Sequence, residues 1–442
     1  MGLPSSNSRS CAPPSSHPGR RSKHLRSTGT QVRLLQLREF EPKRAVPLRQ
    51  EQVDDLRQLC RTLRVQPTVG QVGHYDLTVE GEIGAINVRD LAVEIRPKLD
   101  VEHVFFILSY ALDPKGWRPD DFTFGSNASL VEAIVFSFAT HVDRALKRGL
   151  LHGYLQTEES IATIRGRLRF DEQIRRRLGR APPFEVRYED YTPDVTENRL
   201  IKAAVGRLGR MYLRLPESRA RLRRIAAALD TVTAVPYDPR LLPDLVYTRL
   251  NQHYRAAVEL AKLIIRSTTF DLTWGPAHGS AFLVDMKKAF ENFVVIALRE
   301  DLGVSQRDFP QGSHGMKLHL DEGSNITLQP DLSWWMGGQC HFVGDVKYKR
   351  VNVEGVQHPD VYQVLAYAVA ANLPGGLLIY AAGEAEPVTH RVRYLARTID
   401  VIALDLSVAP KKVLEQASAV AQRIRSLAQA SHQTTIPAAA AV

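Results

Sequence analysis

The chain has 442 residues, enough for two or three domains, and its 44% hydrophobic and 24% charged content excludes a disordered, collagenous or fibrous body. Cys11, Cys60 and Cys340 form no CxxC pair, which excludes a disulfide framework and a thiolate zinc site, and no apolar run approaches the ~18 residues of a membrane span. The net charge of +10 is uneven: residues 1–26 carry five basic groups and no acid, residues 161–224 carry seventeen against eight, and the remainder sums to −4.

Residues 1–29 are rich in Ser, Pro and Arg and nearly free of large apolar groups, so a disordered leader is expected. The N-terminus lacks the apolar run of a signal peptide, and a cytoplasmic, reducing location without membrane contact follows as the expectation. From Gln31 to Pro97 short alternating runs are broken by Gly81 and Gly84, which predicts a β-rich domain over residues 30–125. A helix is expected over Val101–Leu112. A longer one is expected over Leu130–Leu150, where Val131, Ile134, Val135, Phe138, Val142 and Ala145 share one stripe and Gly149 stands near the end.

Residues 126–270 read as a helical, arginine-rich connecting domain. Within it Arg165, Arg167 and Arg169 alternate with Gly166 and Leu168, the pattern of an extended edge with three guanidinium groups on one side, and Arg175, Arg176 and Arg177 follow. Such basic stretches are read either as solvated faces or as phosphate tracks. Arginine in place of lysine, with Tyr188, Tyr191 and Tyr212 interleaved, favours contact with nucleic acid, and a local positive field steers a polyanion. The alternative is that the strip grips an acidic surface of a partner protein.

From Phe282 the pattern becomes helix, strands, helix, strands, helix: an α/β unit with a mixed sheet is expected over residues 271–428, followed by a disordered tail over 429–442. Acid-x-Lys triplets occur four times in the chain, and only Asp345-Val346-Lys347 lies in a strand-like run, where alternation places both side chains on one face. Asp331, after Pro330, ends the preceding strand-like run, and Gln363 and Tyr367 follow on a helix. Two carboxylates delivered from adjacent strands suit a hard divalent cation such as Mg²⁺, and a neighbouring ammonium stabilises the nucleophile or the transition state of phosphodiester hydrolysis. Glu291, beside the apolar stripe of the helix before, either completes the metal shell or pairs with Lys287.

The ordered set helix Glu, Pro-Asp, Asp-x-Lys, Gln-x-x-x-Tyr resembles the PD-(D/E)XK nuclease core in its RecB-like form. Wider motifs resemble the McrC family, the nuclease subunit of the McrBC modified-cytosine restriction system: Val93-Glu94-Ile95-Arg96-Pro97-Lys98, Ile164-Arg165-Gly166-Arg167-Leu168, Asp194-Val195-Thr196-Glu197-Asn198-Arg199-Leu200, Tyr247-Thr248-Arg249-Leu250-Asn251 with Tyr254, and Phe290-Glu291-Asn292-Phe293-Val294. The resemblance spans roughly residues 30–410. It implies an α+β multidomain protein: a β-rich domain contacting the partner, a central basic helical region, and a C-terminal restriction-endonuclease-like core with a mixed sheet. It further implies a Mg-dependent DNA endonuclease, a hydrolase that cuts double-stranded DNA containing modified cytosine, working with and stimulating an McrB-like AAA+ GTPase. Asp331 and Asp345 match the metal-binding carboxylates, Lys347 the catalytic lysine and Gln363 the helix glutamine. No GxxxxGK phosphate loop followed by Ser or Thr occurs, in keeping with GTP hydrolysis by another chain. A stand-alone RecB-like nuclease and a non-catalytic activator of a motor are the competing readings.

Overall fold

A computed structural model describes residues 32–114, 129–270, 279–311, 317–349, 358–381 and 388–433, so the expected leader and Cys11 lie outside the described residues. The N-terminal part is β-rich as expected: β1 (Arg33–Arg38), β2 (Lys43–Pro47), α1 (Gln50–Leu59), β3 (Leu63–Pro67), β4 (His74–Val79), β5 (Glu82–Val88) and β6 (Leu91–Arg96). The helix α1 was not anticipated; its apolar residues Val53, Leu56 and Leu59 are spaced three apart within a mostly polar run. They pack with Leu77, Val79 and Ile86 into a core of their own. Burial pushes the Cys60 and Cys340 thiols up to about 12, so both stay protonated.

Two long helices follow, α2 (Val101–Leu112) and α3 (Leu130–Leu146), the latter capped by Ser129, whose hydroxyl accepts from the Glu132 amide at 3.3 Å. The next region departs from the helical expectation. A three-stranded antiparallel sheet, of order β7-β9-β8, is made by β7 (Gly153–Ile161), β8 (Arg167–Leu168) and β9 (Phe184–Thr192), with α4 (Phe170–Arg177) between the last two. Its strands are largely solvated on both faces, so no apolar alternation marks them in the sequence. The helices α5 (Thr196–Leu208), α6 (Pro216–Ala228) and α7 (Arg255–Ser267) then complete a bundle with α3.

Polar residues tie this bundle together. Asn198 Nδ2 donates to the carbonyls of Leu151 at 2.9 Å and Pro193 at 2.7 Å, and Asn251 Nδ2 reaches Glu197 Oε1 at 2.9 Å. Tyr254 Oη accepts from the Leu151 amide at 2.9 Å. The conspicuous acid-amide-arginine and tyrosine-asparagine motifs are therefore architectural here, satisfying buried main-chain groups.

The chain then returns to the N-terminal domain. β10 (Thr268–Phe270) and β11 (Gly279–Asp285) extend its larger sheet, of order β1-β6-β5-β11-β10, with Gly279 paired to Val88 and Asp285 to Glu82. A boundary near residue 270 therefore does not separate two sheets: the first strand of the expected C-terminal unit belongs to the N-terminal one. Gly84, at φ +138°, lies so close to Phe282 that a Cβ would stand 2.0 Å from its carbonyl oxygen, so this crossing admits only glycine.

From β11 the chain enters α8 (Met286–Leu302) without a loop; Asp285 Oδ1 accepts from the amides of Lys287 at 2.9 Å and Lys288 at 3.2 Å. There follow β12 (Leu318–His319), β13 (Thr327–Leu328), β14 (Leu332–Met336), β15 (Gln339–Lys347), α9 (His358–Ala370), β16 (Gly375–Ala381), β17 (Val388–Arg391), β18 (Thr398–Leu404) and α10 (Pro410–Gln433). The main sheet has the order β14-β15-β16-β18-β17 and is mixed, with parallel pairs β15/β16 and β16/β18 between antiparallel edges. One face, with Phe342, Val346, Leu377 and Ile379, packs on α8 and α10; the other, with Val343, Leu378 and Tyr380, packs on α9. α10 runs to Gln433, past the expected start of a tail at 429, since an alanine-rich run continues a helix readily.

Candidate active site

The sheet builds the site by register. β14 runs antiparallel to β15 with Leu332 opposite Gly344, so Asp331, one step before β14, falls beside Asp345. Asp331 Oδ2 accepts from the Val346 amide at 3.0 Å, which pins it there. Asp345 and Lys347 project from the same face of β15, toward α9, as alternation requires, and Lys347 Nζ stands 2.5 Å from Asp345 Oδ2. That approach is a charge contact not aligned as a hydrogen bond; both Asp345 oxygens are buried without a hydrogen-bond partner. Gly344 precedes them, and a Cβ there would come within 2.9 Å of the Leu377 carbonyl.

The electrostatics follow from this crowding. Asp345 is 1% exposed, and burial together with the Asp331 charge holds its pKa well above the carboxylate range, against the pull of Lys347. For Lys347, burial pulls the pKa down, but Asp345, Asp331 and Asp360 outweigh it and hold the ammonium above its ordinary value.

Glu291 on α8 forms no ion pair with Lys287 among the described residues. Burial, then the Asp331 charge, raises its carboxyl to about 7, with Lys288 and Lys347 pulling the other way. The Asp331 charge thus reaches Glu291 from the sheet edge. Its neighbour Asn292 accepts a hydrogen bond from Gln311 Nε2, and Gln311 bridges to Leu332, next to Asp331. This clamp between α8 and β14 had no signal in the sequence, because Gln311 lies far from any motif.

Gln363 reaches the site through another residue. Its Nε2 donates to Tyr367 Oη at 2.6 Å, and Tyr367 in turn donates to the Gln329 carbonyl at 3.2 Å, just ahead of Asp331. Burial and the fields of Asp345 and Asp331 push the Tyr367 hydroxyl up, so it remains a donor. Asp360, at the start of the same helix, holds Lys349 at 3.3 Å and accepts from Tyr380 Oη at 2.7 Å.

The residues fit a hard cation chemically: all the acidic donors are oxygens, Asp345 has two buried oxygens without hydrogen bonds, and two of the three carboxyls are held above their ordinary pKa. Among the described residues no group of three or more His, Cys, Asp or Glu is already drawn to ligand spacing. Lys347 sits on Asp345 and stands where a positive charge is needed.

The six arginines expected to form a track lie on the small sheet and α4, apart from these acids in the chain. Gly166, at φ +70° with a Cβ that would come 2.5 Å from the Arg187 carbonyl, breaks the extended alternation between Arg165 and Arg167. Arg165 pairs with Asp190 at 2.9 Å and stacks on Tyr188 at 4.1 Å; Arg169 pairs with Glu158 at 2.7 Å. Arg175 and Arg176 share Glu172 at 2.7 and 2.8 Å, and Arg177 meets Glu185 at 3.4 Å. Arg167 is exposed and opposite Arg187. The local acids thus offset much of the charge that composition alone assigns to this strip.

No helix among the described residues is long and apolar enough to cross a membrane. No curated protein matches the chain. Among solved structures, a chain of the refined half-complex from a tetradecameric assembly of Thermococcus gammatolerans McrB AAA+ hexamers with bound McrC has 19% identity and a TM-score of 0.57, covering 89% of this chain and 100% of that one. A chain of the cryo-EM structure of the Thermococcus gammatolerans McrBC complex has 21% identity and a TM-score of 0.42, covering 62% and 89%. The first likeness shows a shared fold. The family model described as McrBC 5-methylcytosine restriction system component matches residues 77–381, more than half of the sequence, from within β4 to the end of β16, and the chain belongs to that family.

Proposed function

We propose that the chain is the DNA-cutting subunit of a restriction complex, hydrolysing phosphodiester bonds with Mg²⁺ at Asp331, Asp345 and Glu291. The observation that carries this reading is the register of β14 on β15, which sets Asp331 beside Asp345 and Lys347 at the edge of a mixed sheet. A strand pair with this acid, acid-x-lysine arrangement, backed by α8 and faced by α9, is the arrangement expected of a PD-(D/E)XK nuclease core. When bound, the cation supplies positive charge and Lewis acidity beside the scissile phosphate.

The chain's own residues do the rest. Asp331 is held by the Val346 amide and so keeps its second oxygen for a ligand. Lys347, held charged by its acidic neighbours, offers its ammonium as a donor to a phosphate oxygen, and Asp345 beside it would be a ligand of the cation. Tyr367, bonded to Gln363 and to the Gln329 carbonyl, fixes the approach of α9 to the two aspartates. The partner we infer is an AAA+ GTPase, since the similar solved assembly holds McrC on McrB AAA+ hexamers, and the substrate is double-stranded DNA carrying modified cytosine. Contact of the Arg165 to Arg177 strip with DNA phosphates belongs to the same proposal, with Arg167 the arginine most open to it.

The test is cleavage of methylated duplex by the full chain with its AAA+ partner, GTP and Mg²⁺. Asp345→Ala and Lys347→Ala should each abolish cutting while stimulation of GTP hydrolysis stays near the parent level. Lys349→Ala, whose ammonium pairs with Asp360, should still cut. Cutting by Asp345→Ala at the parent rate would remove the assignment.

A further inference from the structure

Tyr348 follows Lys347 directly, and alternation turns its ring from the site face of β15 to the opposite one. There it meets Phe290, with ring centroids 6.1 Å apart, and Phe290 immediately precedes Glu291 on α8. One side chain thus touches, from behind, both elements that deliver the site's lysine and its third acid. Packing does not hold the ring on every side: a cavity of about 170 Å³, lined by Lys98, His103, Lys349 and Leu406 among others, opens beside it.

The outer end of the ring is held by the N-terminal domain. Tyr348 Oη donates to Glu39 Oε2 at 3.4 Å, a bond between residues 309 positions apart. Glu39 is fully buried just after β1, and its amide donates to the Arg96 carbonyl at 2.9 Å. The next residue, Phe40, is held in the left-handed region at φ 63°, with its amide on the Val79 carbonyl at 2.8 Å and the Lys98 ammonium 3.7 Å over its ring. Glu39 Oε1 is buried without a hydrogen-bond partner. Burial pushes this carboxyl up to about 7, against the Lys98 charge. A carboxyl in such a place is a poor source of stability, and an apolar pair would pack here at less cost. The same domain also braces α8: the Gly81 carbonyl accepts from the Met286 amide at 2.8 Å, and the Lys287 side chain lies against Gly81.

We propose that Glu39 and Tyr348 form a strut through which the N-terminal domain positions Lys347 and Glu291, making both positioning residues for the cleavage step. The proposal rests on the nuclease reading of the Asp331, Asp345 and Lys347 site. Losing one hydrogen bond that sets geometry corresponds to about tenfold in rate. In the full chain with its AAA+ partner, GTP, Mg²⁺ and methylated duplex, Tyr348→Phe should lower kcat for cleavage about tenfold, with KM for DNA and stimulation of GTP hydrolysis unchanged. Glu39→Ala should match it and the double variant should be no worse than either. Glu39→Gln, whose amide oxygen still accepts from Tyr348, should recover most of the rate.

Cleavage by Tyr348→Phe at the parent rate, or losses that multiply in the double variant, would overturn the strut. If Tyr348→Phe melts far below the parent, the contrast between Glu39→Gln and Glu39→Ala decides instead, and equal rates for those two overturn it. Asp345→Ala run in parallel separates the two levels. An inactive Asp345→Ala beside a fully active Tyr348→Phe removes the strut alone, whereas an active Asp345→Ala removes the site and the strut with it.

Discussion

Asp345→Asn takes a charge out of a place the fold keeps dry and negative, and should make the protein more stable while ending its cleavage. The carboxylate is 1% exposed, neither oxygen has a hydrogen-bond partner, and its favourable contact is the Lys347 ammonium at 2.5 Å. Burial and the Asp331 charge outweigh that contact, so the folded pKa lies above the ordinary value. An acid raised in this way burdens the fold only when ionised. The penalty is absent below the ordinary carboxylate range and grows as pH rises through the raised value. A buried polar group left unsatisfied costs roughly 1–3 kcal/mol. At ~2–4 °C per kcal/mol for a domain of this size, the neutral isostere should melt roughly 2–12 °C above the parent at pH 8. The gain should vanish near pH 4. Millimolar Mg²⁺ should raise the Tm of the parent, because a ligand of the folded state stabilises it, and should leave the variant nearly unmoved. Thermal melts of the full chain at several pH values, with and without Mg²⁺, read all of these at once. A variant that melts below the parent at every pH, or that gains from Mg²⁺ as much as the parent does, would refute the reasoning.

Two further expectations concern parts outside the site. Replacing Arg165, Arg167 and Arg169 together by glutamine should flatten the salt dependence of DNA affinity by about one unit, not three, because Arg165 and Arg169 already face Asp190 and Glu158. Fluorescence anisotropy across a salt series measures the slope; a loss near three units would mean that those ion pairs open onto phosphate, and no change would take the strip off DNA altogether. Removal of residues 32–96 should leave no folded core, since β11 would lose its partner β5 and α8 the Gly81 contact that starts it. A soluble, cooperatively melting fragment would contradict this.

Much of the candidate site was legible in the residues because strand alternation is local. Asp345 and Lys347 share a face for the same reason that any i, i+2 pair does, and Gln363 and Tyr367 share one as any i, i+4 pair on a helix does. The long apolar stripes of α3 and α8 were legible for a similar reason, each being a period written in consecutive residues. Of the small sheet only β8 fell in a stretch read as extended; β7 and β9 were not legible, because apart from Glu185 and Val186 their residues are half-buried or exposed and no apolar period records them.

What only the tertiary structure decided are relations between distant parts of the chain. Composition counted seventeen basic residues against eight acids over residues 161–224, but only folding shows which acids sit on the arginines: Glu158 from β7 meets Arg169, Asp190 meets Arg165 and Glu185 meets Arg177. Sequence alone left Glu291 between a salt bridge and the metal shell; in the fold it has no ion pair with Lys287 among the described residues and feels the Asp331 charge, while Gln311 clamps the neighbouring Asn292 to β14. The pairing of β11 with β5 requires closing a long stretch of chain, which no local pattern announces. Glu39 and Tyr348 meet across 309 positions for the same reason: residue type and spacing fix which groups share a face, and only the packed sheets fix which faces meet.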